Sequence, residues 1–327
     1  MNEDDIRPRI LYDKLLDLAK QDVDEYFGSV PRIQTSCPAC ESEGTHAFDK
    51  HGFSYAQCNR CETLYVTPRP EASAFRQYYS EAASVKYWAN TFYSQTQAAR
   101  RENIWKPRAL EILHSLNTLG ATDYQIVDIG GGYGVFADEI SKLIKSTITI
   151  IEPSPGLARI SRRLGFSVVE KFLEDVQRGD LPKGPTVFVS FELFEHLHSP
   201  QYFLQKLSAL MSPSDFLIFS TLSGHGVDIQ VLWSESQSIC PPFHLNFLNP
   251  RSIEILLERN GFETIEVTTP GKLDIDILYN RRNLVQDKFW KTFLHSTNKT
   301  QRNILQSTIS RIGWSSHMMI TSSKKQR

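Results

Sequence analysis

The sequence has no long hydrophobic run. Across 327 residues, nothing approaches the roughly 20 consecutive apolar residues that a membrane-spanning helix needs. It also lacks a basic-then-apolar start. The chain opens Met1-Asn2-Glu3-Asp4-Asp5, acidic where a secretory leader is cationic. Both absences point to a cytoplasmic protein without membrane insertion. An excess of one charge is missing too, with 36 basic side chains against 37 acidic ones and a formal net charge of −1. Proteins that hold nucleic acid draw much of their affinity from neutralising phosphates. Here the basic residues cluster only as short pairs: Arg100-Arg101, Arg162-Arg163, Arg281-Arg282 and Lys324-Lys325. The balance favours a small-molecule partner and no nucleic acid. What is present is 40% hydrophobic and 22% charged residues, the composition of a globular protein with a sizeable core.

Cysteine is scarce, five in all, yet four of the five form two pairs. Cys37-Pro38-Ala39-Cys40 and Cys58-Asn59-Arg60-Cys61 are separated by 17 residues. That spacing is the pattern of a four-thiolate zinc site. Each pair makes a tight knuckle offering two sulfurs to one side, and the segment between them folds as a hairpin. Residues 51–57 read as a strand leading in and 63–66 as one leading out. Two disulfides or a redox pair are the competing readings. A reducing cytosol disfavours the first, and no strand–helix context marks the second. Four thiolates leave no open position, so the zinc is expected to be structural. Such knuckles favour Gly after the second Cys, where φ is positive, but Glu41 and Glu62 stand there. His46 and His51 are spare ligands, and Cys240 is expected to be a small buried side chain.

The strongest functional signal is Gln125-Ile126-Val127-Asp128-Ile129-Gly130-Gly131-Gly132-Tyr133-Gly134. A β-branched run ends in an acid, crosses a glycine cluster and enters a helical pattern with Phe136, Ile140, Leu143 and Ile144 on one face. Glycines let a ligand approach the backbone closely, and the amides of a helix N-terminus then face it. A second strand over 147–151 ends in Glu152, 22 residues after Gly130, placed to accept hydrogen bonds from both hydroxyls of an adenosine ribose. A dinucleotide's pyrophosphate would be repelled by Asp128. An ammonium group, such as the amino-acid end of S-adenosylmethionine, would be attracted.

With the strand-four segment Phe191-Glu192-Leu193-Phe194-Glu195-His196-Leu197, residues 105–323 resemble class I S-adenosylmethionine-dependent methyltransferases. The Cys region, ending Val66-Thr67-Pro68-Arg69-Pro70, is similar to the zinc-binding leader of sugar and polysaccharide-pathway methyltransferases. The resemblance implies an α/β, Rossmann-like, doubly wound and mostly parallel seven-stranded sheet. Ahead of it would come a helical segment over 1–32, a zinc ribbon over 33–70 and a helical cap over 71–120. The catalytic domain would span 121–323, with a helical insertion near 270–313. It further implies that Asp128, Gly130, Gly131, Gly132 and Gly134 hold the methionine part of the cofactor and Glu152 its ribose. Lys171 and Phe172 would flank adenine, and Phe191 and Glu192 would close the pocket near the sulfonium.

Further strands are expected over 215–221, 262–267 and 317–321, and helices over 251–260, 283–293 and 301–312. Glu195 and His196 are expected to open a helix. The loop after strand five contains Trp233 and Cys240-Pro241-Pro242-Phe243-His244-Leu245-Asn246-Phe247. Methyl transfer to a hydroxyl or an acidic C–H needs a base, and His titrates near neutrality. His244 is therefore the expected general base, with Glu192 the other catalytic candidate and His225 a weaker one. Tyr87, Trp88, Phe92 and Tyr93 are core residues or caps on the site. The expected acceptor is a small molecule, with a nucleotide-linked or polysaccharide-precursor sugar as first choice, methylated at carbon or oxygen. Two rivals stand beside this: an RNA methyltransferase docking through its ribbon, and a non-catalytic scaffold.

Overall fold

The computed structural model describes residues 1–325. Helix α1 (Arg9–Phe27) buries Tyr12, Leu15, Ala19, Val23 and Phe27, spaced three and four apart on one face. Val23 and Phe27 pack on the antiparallel strands β1 (Gly44–Lys50), β2 (Phe53–Cys58) and β3 (Leu64–Val66). The strand expected from residue 51 starts at Phe53, because His51 and Gly52 take positive φ and turn the hairpin. Helix α2 (Ala72–Glu81) follows, and after it a nearly continuous helical path over 83–119. There α3 (Tyr93–Arg100) and α4 (Lys106–Leu119) flank one π-helical segment, Arg101–Trp105, and a second, Trp88–Phe92, precedes α3. Widened turns of this kind often occur at functional sites.

The main sheet is built from β4 (Gln125–Ile129), β5 (Ile148–Ile151), β6 (Ser167–Val169), β7 (Thr186–Phe191) and β8 (Phe216–Leu222), all parallel. The helix after β4 is α5 (Val135–Ser141), shorter than its pattern suggested, and Leu143 lies exposed beyond it. Helix α6 (Pro155–Arg163) links β5 to β6. After β7 the chain makes only one 3-10 turn, Phe194–His196, where a helix was expected. The helix waits for Pro200 because Ser199 caps it, its side chain accepting from the Tyr202 amide, which gives α7 (Pro200–Leu210). Glu195 is instead drawn into the interior, where it accepts from the Thr221 hydroxyl at 3.0 Å.

Beyond β8 come α8 (Val227–Leu232), a short strand β9 (Asn246–Phe247) and α9 (Pro250–Arg259), the last opened by an Asn249 capping box. Strand β10 (Phe262–Thr268) leads into an insertion of three helices, α10 (Asp274–Asn280), α11 (Lys288–Ser296) and α12 (Lys299–Arg311). Helix α10 was not expected, and residues 283–287 lie outside any helix. Strand β11 (His317–Lys324) closes the sheet, whose order is β10-β11-β8-β7-β4-β5-β6. Strand β11 runs antiparallel to both neighbours.

The ribbon is not a separate appendage. Its four cysteines and Tyr65 belong to the same buried cluster as Val127, Phe188, Phe219 and Leu256 of the sheet and its helices. Each large apolar side chain taken from water there contributes about 1.5–3 kcal/mol. Strand β9 pairs antiparallel with β3, which makes the loop after β8 a fourth strand of the ribbon. Glu41 and Glu62 both take φ of 60°, the conformation expected of glycine. Each has a partner on the methyl-transfer side that glycine could not reach: Glu41 pairs with Arg259, and Glu62 with His225 at 3.0 Å. Arg259 also donates to the Ala39 carbonyl at 2.7 Å.

Candidate functional site

The four Cys sulfurs lie together, with Sγ–Sγ distances of 3.5 Å for Cys37–Cys61 and 3.4 Å for Cys40–Cys58. Zinc–sulfur bonds of ~2.3 Å in a tetrahedron place sulfurs about 3.8 Å apart, so this donor set fits a structural zinc ion. His46 pairs with Asp49 and is not part of the set.

At the carboxyl ends of β4 and β5 the backbone and two acids form a cradle. Gly130, Gly132 and Gly134 take φ of 72°, 55° and 69°. The Glu152 carboxylate accepts from the Gly132 amide at 3.0 Å and from the Ser154 amide at 2.8 Å. Asp128 lies buried beneath the loop, and its Oδ2 has no hydrogen-bond partner. Burial, with the neighbouring Glu152 adding to it, pushes Asp128 up to about 7. An unpartnered buried oxygen of this kind fits an ammonium donor, as the amino-acid end of S-adenosylmethionine would supply. Gly131 fixes the approach: a Cβ there would lie 2.6 Å from Asp128 Oδ2 and 2.8 Å from Ile150 Cγ2. Gly131→Ala is expected to cost the fold about 1–3 kcal/mol by overpacking, and to weaken cofactor binding at the same time. Thermal melting with and without S-adenosylhomocysteine checks both effects. Phe172 lies exposed over the Arg76 guanidinium, open to a flat ligand. Lys171 pairs with Asp180 at 2.7 Å.

Phe191 ends β7 against Phe136, with Arg108 over its ring. Glu192, at φ 53°, receives His317 Nε2 at 2.9 Å and Ser220 Oγ at 2.8 Å, with Arg108 at 3.6 Å. Burial opposes its charge, but His317 and Arg108 outweigh burial and hold it well below the usual carboxylate range. Glu192 is thus a fixed negative charge and a poor base. His317 and Arg108 carry no motif that marks them in the sequence, and only the antiparallel return of β11 brings His317 here.

His244 lies where β9 joins the ribbon. Its Nδ1 is 2.6 Å from the Ser238 carbonyl, so that nitrogen carries the proton and Nε2 keeps its lone pair. Burial lowers its pKa to about 4 rather than the near-neutral value expected from the sequence, which leaves the imidazole neutral and a weaker base than a free His. The ring is 4.7 Å from that of His196, and a ligand atom of each imidazole and of Glu195 fall within 4.8 Å of one another. Burial pushes Glu195 up to about 8, with Glu192 adding to it, and lowers His196 to about 3, with His244 adding to it. Backbone contacts fix the loop: Tyr55 donates to the His244 carbonyl at 2.7 Å, and the Val66 amide to the Leu245 carbonyl at 3.0 Å. His225 is held at Glu62 on the ribbon and Cys240 is buried. Tyr93 stacks on Tyr133 of the glycine loop at 4.3 Å, and Trp88 stacks on the buried Phe92.

A doubly wound sheet with a glycine-loop cradle and acids at two strand ends defines a nucleoside-type ligand site. Residues 98–267, more than half of the chain, match the methyltransferase-domain family, and the chain belongs to it. It is a class I S-adenosylmethionine-dependent methyltransferase. Solved structures similar to this chain include the plantazolicin methyltransferase BpumL with SAH, at 15% identity over 76% of this chain and 93% of that one, with a TM-score of 0.49. Another is an S-adenosylmethionine-dependent methyltransferase from Clostridium acetobutylicum (8% identity, 72% and 99% covered, TM-score 0.46). A third is the magnesium protoporphyrin IX methyltransferase of Synechocystis with bound SAM (10% identity, 77% and 96% covered, TM-score 0.44). Among curated proteins, none matches the sequence significantly. No helix among the described residues is long and apolar enough to cross a membrane.

Proposed function

We propose that the chain methylates a small acceptor, a nucleotide-linked or polysaccharide-precursor sugar, at carbon or oxygen, with His244 as general base. The observation that carries this reading is the tautomer of His244, whose Nδ1 is committed to the Ser238 carbonyl, leaving Nε2 able to accept a proton. In the same reading Asp128, Gly130, Gly131, Gly132, Gly134 and Glu152 hold the cofactor, Phe172 and Lys171 border its adenine, and Phe191 shields the reacting end. S-adenosylmethionine, when bound, supplies an electrophilic methyl group. Glu192 sets a negative charge at the end of β7, near where the sulfonium of the bound cofactor would lie. With Glu195 raised and both imidazoles lowered, the three-group cluster is neutral near pH 7. It is then ready to take one proton from the acceptor.

The test is turnover of S-adenosylmethionine by zinc-loaded protein against a panel of nucleotide-linked sugars, with His244→Ala alongside. Expected is a loss of about 10²–10⁴-fold in turnover, with S-adenosylhomocysteine affinity within twofold of wild type. Unchanged turnover in His244→Ala removes the base assignment. Cofactor binding without methylation of any sugar in the panel removes the sugar reading.

A further inference from the structure

A cavity of about 140 Å³ opens beside Glu192. Its walls come from the N-terminal segment ahead of α1, the π segment after α3, the loop into α10, and the start of β11. Four cationic side chains line it: Arg7, Arg100, Arg108 and Lys272. Arg108 is spoken for, since it lies at Glu192 and donates to Ser220 at 2.8 Å. Arg7 and Arg100 are not paired with any carboxylate of the described residues. Arg7 lies over the Tyr12 ring, 5.3 Å from its centroid. Arg100 lies over Trp88 and Tyr93, donates one bond to the Ile6 carbonyl at 3.2 Å, and keeps a buried Nε with no partner.

Two of the three acids in the same walls are already committed. Glu192 is held by His317, Ser220 and Arg108. Asp274 accepts from Ser315 and from the Ser316 amide, each at 2.6 Å, and from Gln306 at 2.8 Å. Glu111 is the remaining acid of the lining. Neither guanidinium is ion-paired among the described residues, although Glu3 and Asp228 act on Arg7 from a distance, and a buried guanidinium with an unpartnered Nε favours a ligand that brings negative charge. Arg100 shows the strain: burial lowers its pKa, and the Arg7 charge adds to that effect.

We propose that this cavity seats a phosphoryl group of the acceptor, bound between the guanidiniums of Arg7 and Arg100 with Lys272 at its mouth. This rests on the methyltransferase reading above and narrows its acceptor to an anionic, phosphorylated molecule. Planar guanidinium forks suit oxyanions. Two uncommitted guanidiniums plus an ammonium match a dianionic phosphoryl group better than a singly charged carboxylate. Position follows as well, because the cavity shares Glu192 with the end of β7. A phosphoryl group there would orient the rest of the acceptor toward the transferred methyl.

The experiment titrates inorganic phosphate, pyrophosphate and acetate into the full, zinc-loaded chain, first free and then saturated with S-adenosylhomocysteine. Phosphate or pyrophosphate is expected to bind at least tenfold tighter than acetate. Arg7→Gln and Arg100→Gln should each weaken that binding tenfold or more, with S-adenosylhomocysteine affinity unchanged. Arg7→Lys, which keeps the charge but not the fork, should restore only part of it, and exposed Arg163→Gln should change nothing. Equal binding of phosphate and acetate, or variants that bind phosphate like wild type, overturns the proposal. So does Arg100→Gln weakening S-adenosylhomocysteine while Arg7→Gln is silent, since Arg100 would then serve the cofactor's own carboxylate. If S-adenosylhomocysteine fails to bind wild type, the cofactor reading falls. The phosphate titration of the free protein still decides whether the anion site exists.

Discussion

Asp128→Ala is expected to abolish S-adenosylmethionine binding by calorimetry at concentrations that saturate the wild type, in a protein that remains folded. The carboxylate is buried and its Oδ2 has no other partner, so its contribution to holding an ammonium is undiluted by competing contacts. A charge-assisted bond in such a place contributes about 2–4 kcal/mol, or roughly 30- to 1,000-fold in affinity. Glu152→Ala should cost a similar factor, since its carboxylate accepts from the Gly132 and Ser154 amides and, in the proposed reading, holds the ribose. The same chemistry predicts a pH profile. Asp128 is raised to about 7, so in the free protein it is largely protonated below that value. Binding selects the ionised form and should weaken as pH falls through 7, approaching tenfold per unit. An Asp128→Asn protein should lack that slope. A flat profile in the wild type would remove Asp128 from the ammonium site.

Removing zinc, by chelation or by Cys58→Ser, is expected to end turnover while S-adenosylhomocysteine still binds within a few-fold. Structural zinc contributes on the order of 10 kcal/mol or more to folding of the element that holds it. The His244 loop hangs on that element through the β9–β3 pairing, the Tyr55 bond and the Asn249 bond to the Cys61 carbonyl at 2.7 Å. Strand β4, which leads into the glycine loop, pairs with β5 and β7 rather than with the ribbon. The shared core nevertheless makes the whole chain less stable: a net loss of ~4 kcal/mol corresponds to about 10 °C in melting temperature for a domain of this size. Parallel loss of turnover and cofactor affinity would show that the ribbon supports the entire sheet rather than the acceptor side.

Much of this was legible in the residues because it is local. The Cys spacing, the β-branched run into glycines and the acid closing the next strand each occupy a short window, and their chemistry is set by spacing. The helix expected over 251–260 is equally local, and α9 spans Pro250–Arg259. What escaped was set at a distance. Helix α10 is short, and its place depends on Asp274 finding Ser315, Ser316 and Gln306. Glu195 turned inward because Thr221 waits on the neighbouring strand, a partner 26 residues away. Arg7, Arg100 and Arg108 meet His317 only after both chain ends have folded over the sheet, and no local pattern records that meeting.

Strand β10 has β11 as its sole neighbour in the sheet, with residues 269–316 and their three helices between the two. Closing so long a loop adds little thermodynamic cost, since that cost grows only logarithmically. Its consequence is kinetic. Pairing at such sequence separation is slow to nucleate, so β10 and the outer edge of β8 must wait, unpaired, for the insertion to bring β11 home. Because His317 opens β11, its bond to Glu192 forms in the same late step, and the end of β7 gains its full set of partners only when the sheet is finished.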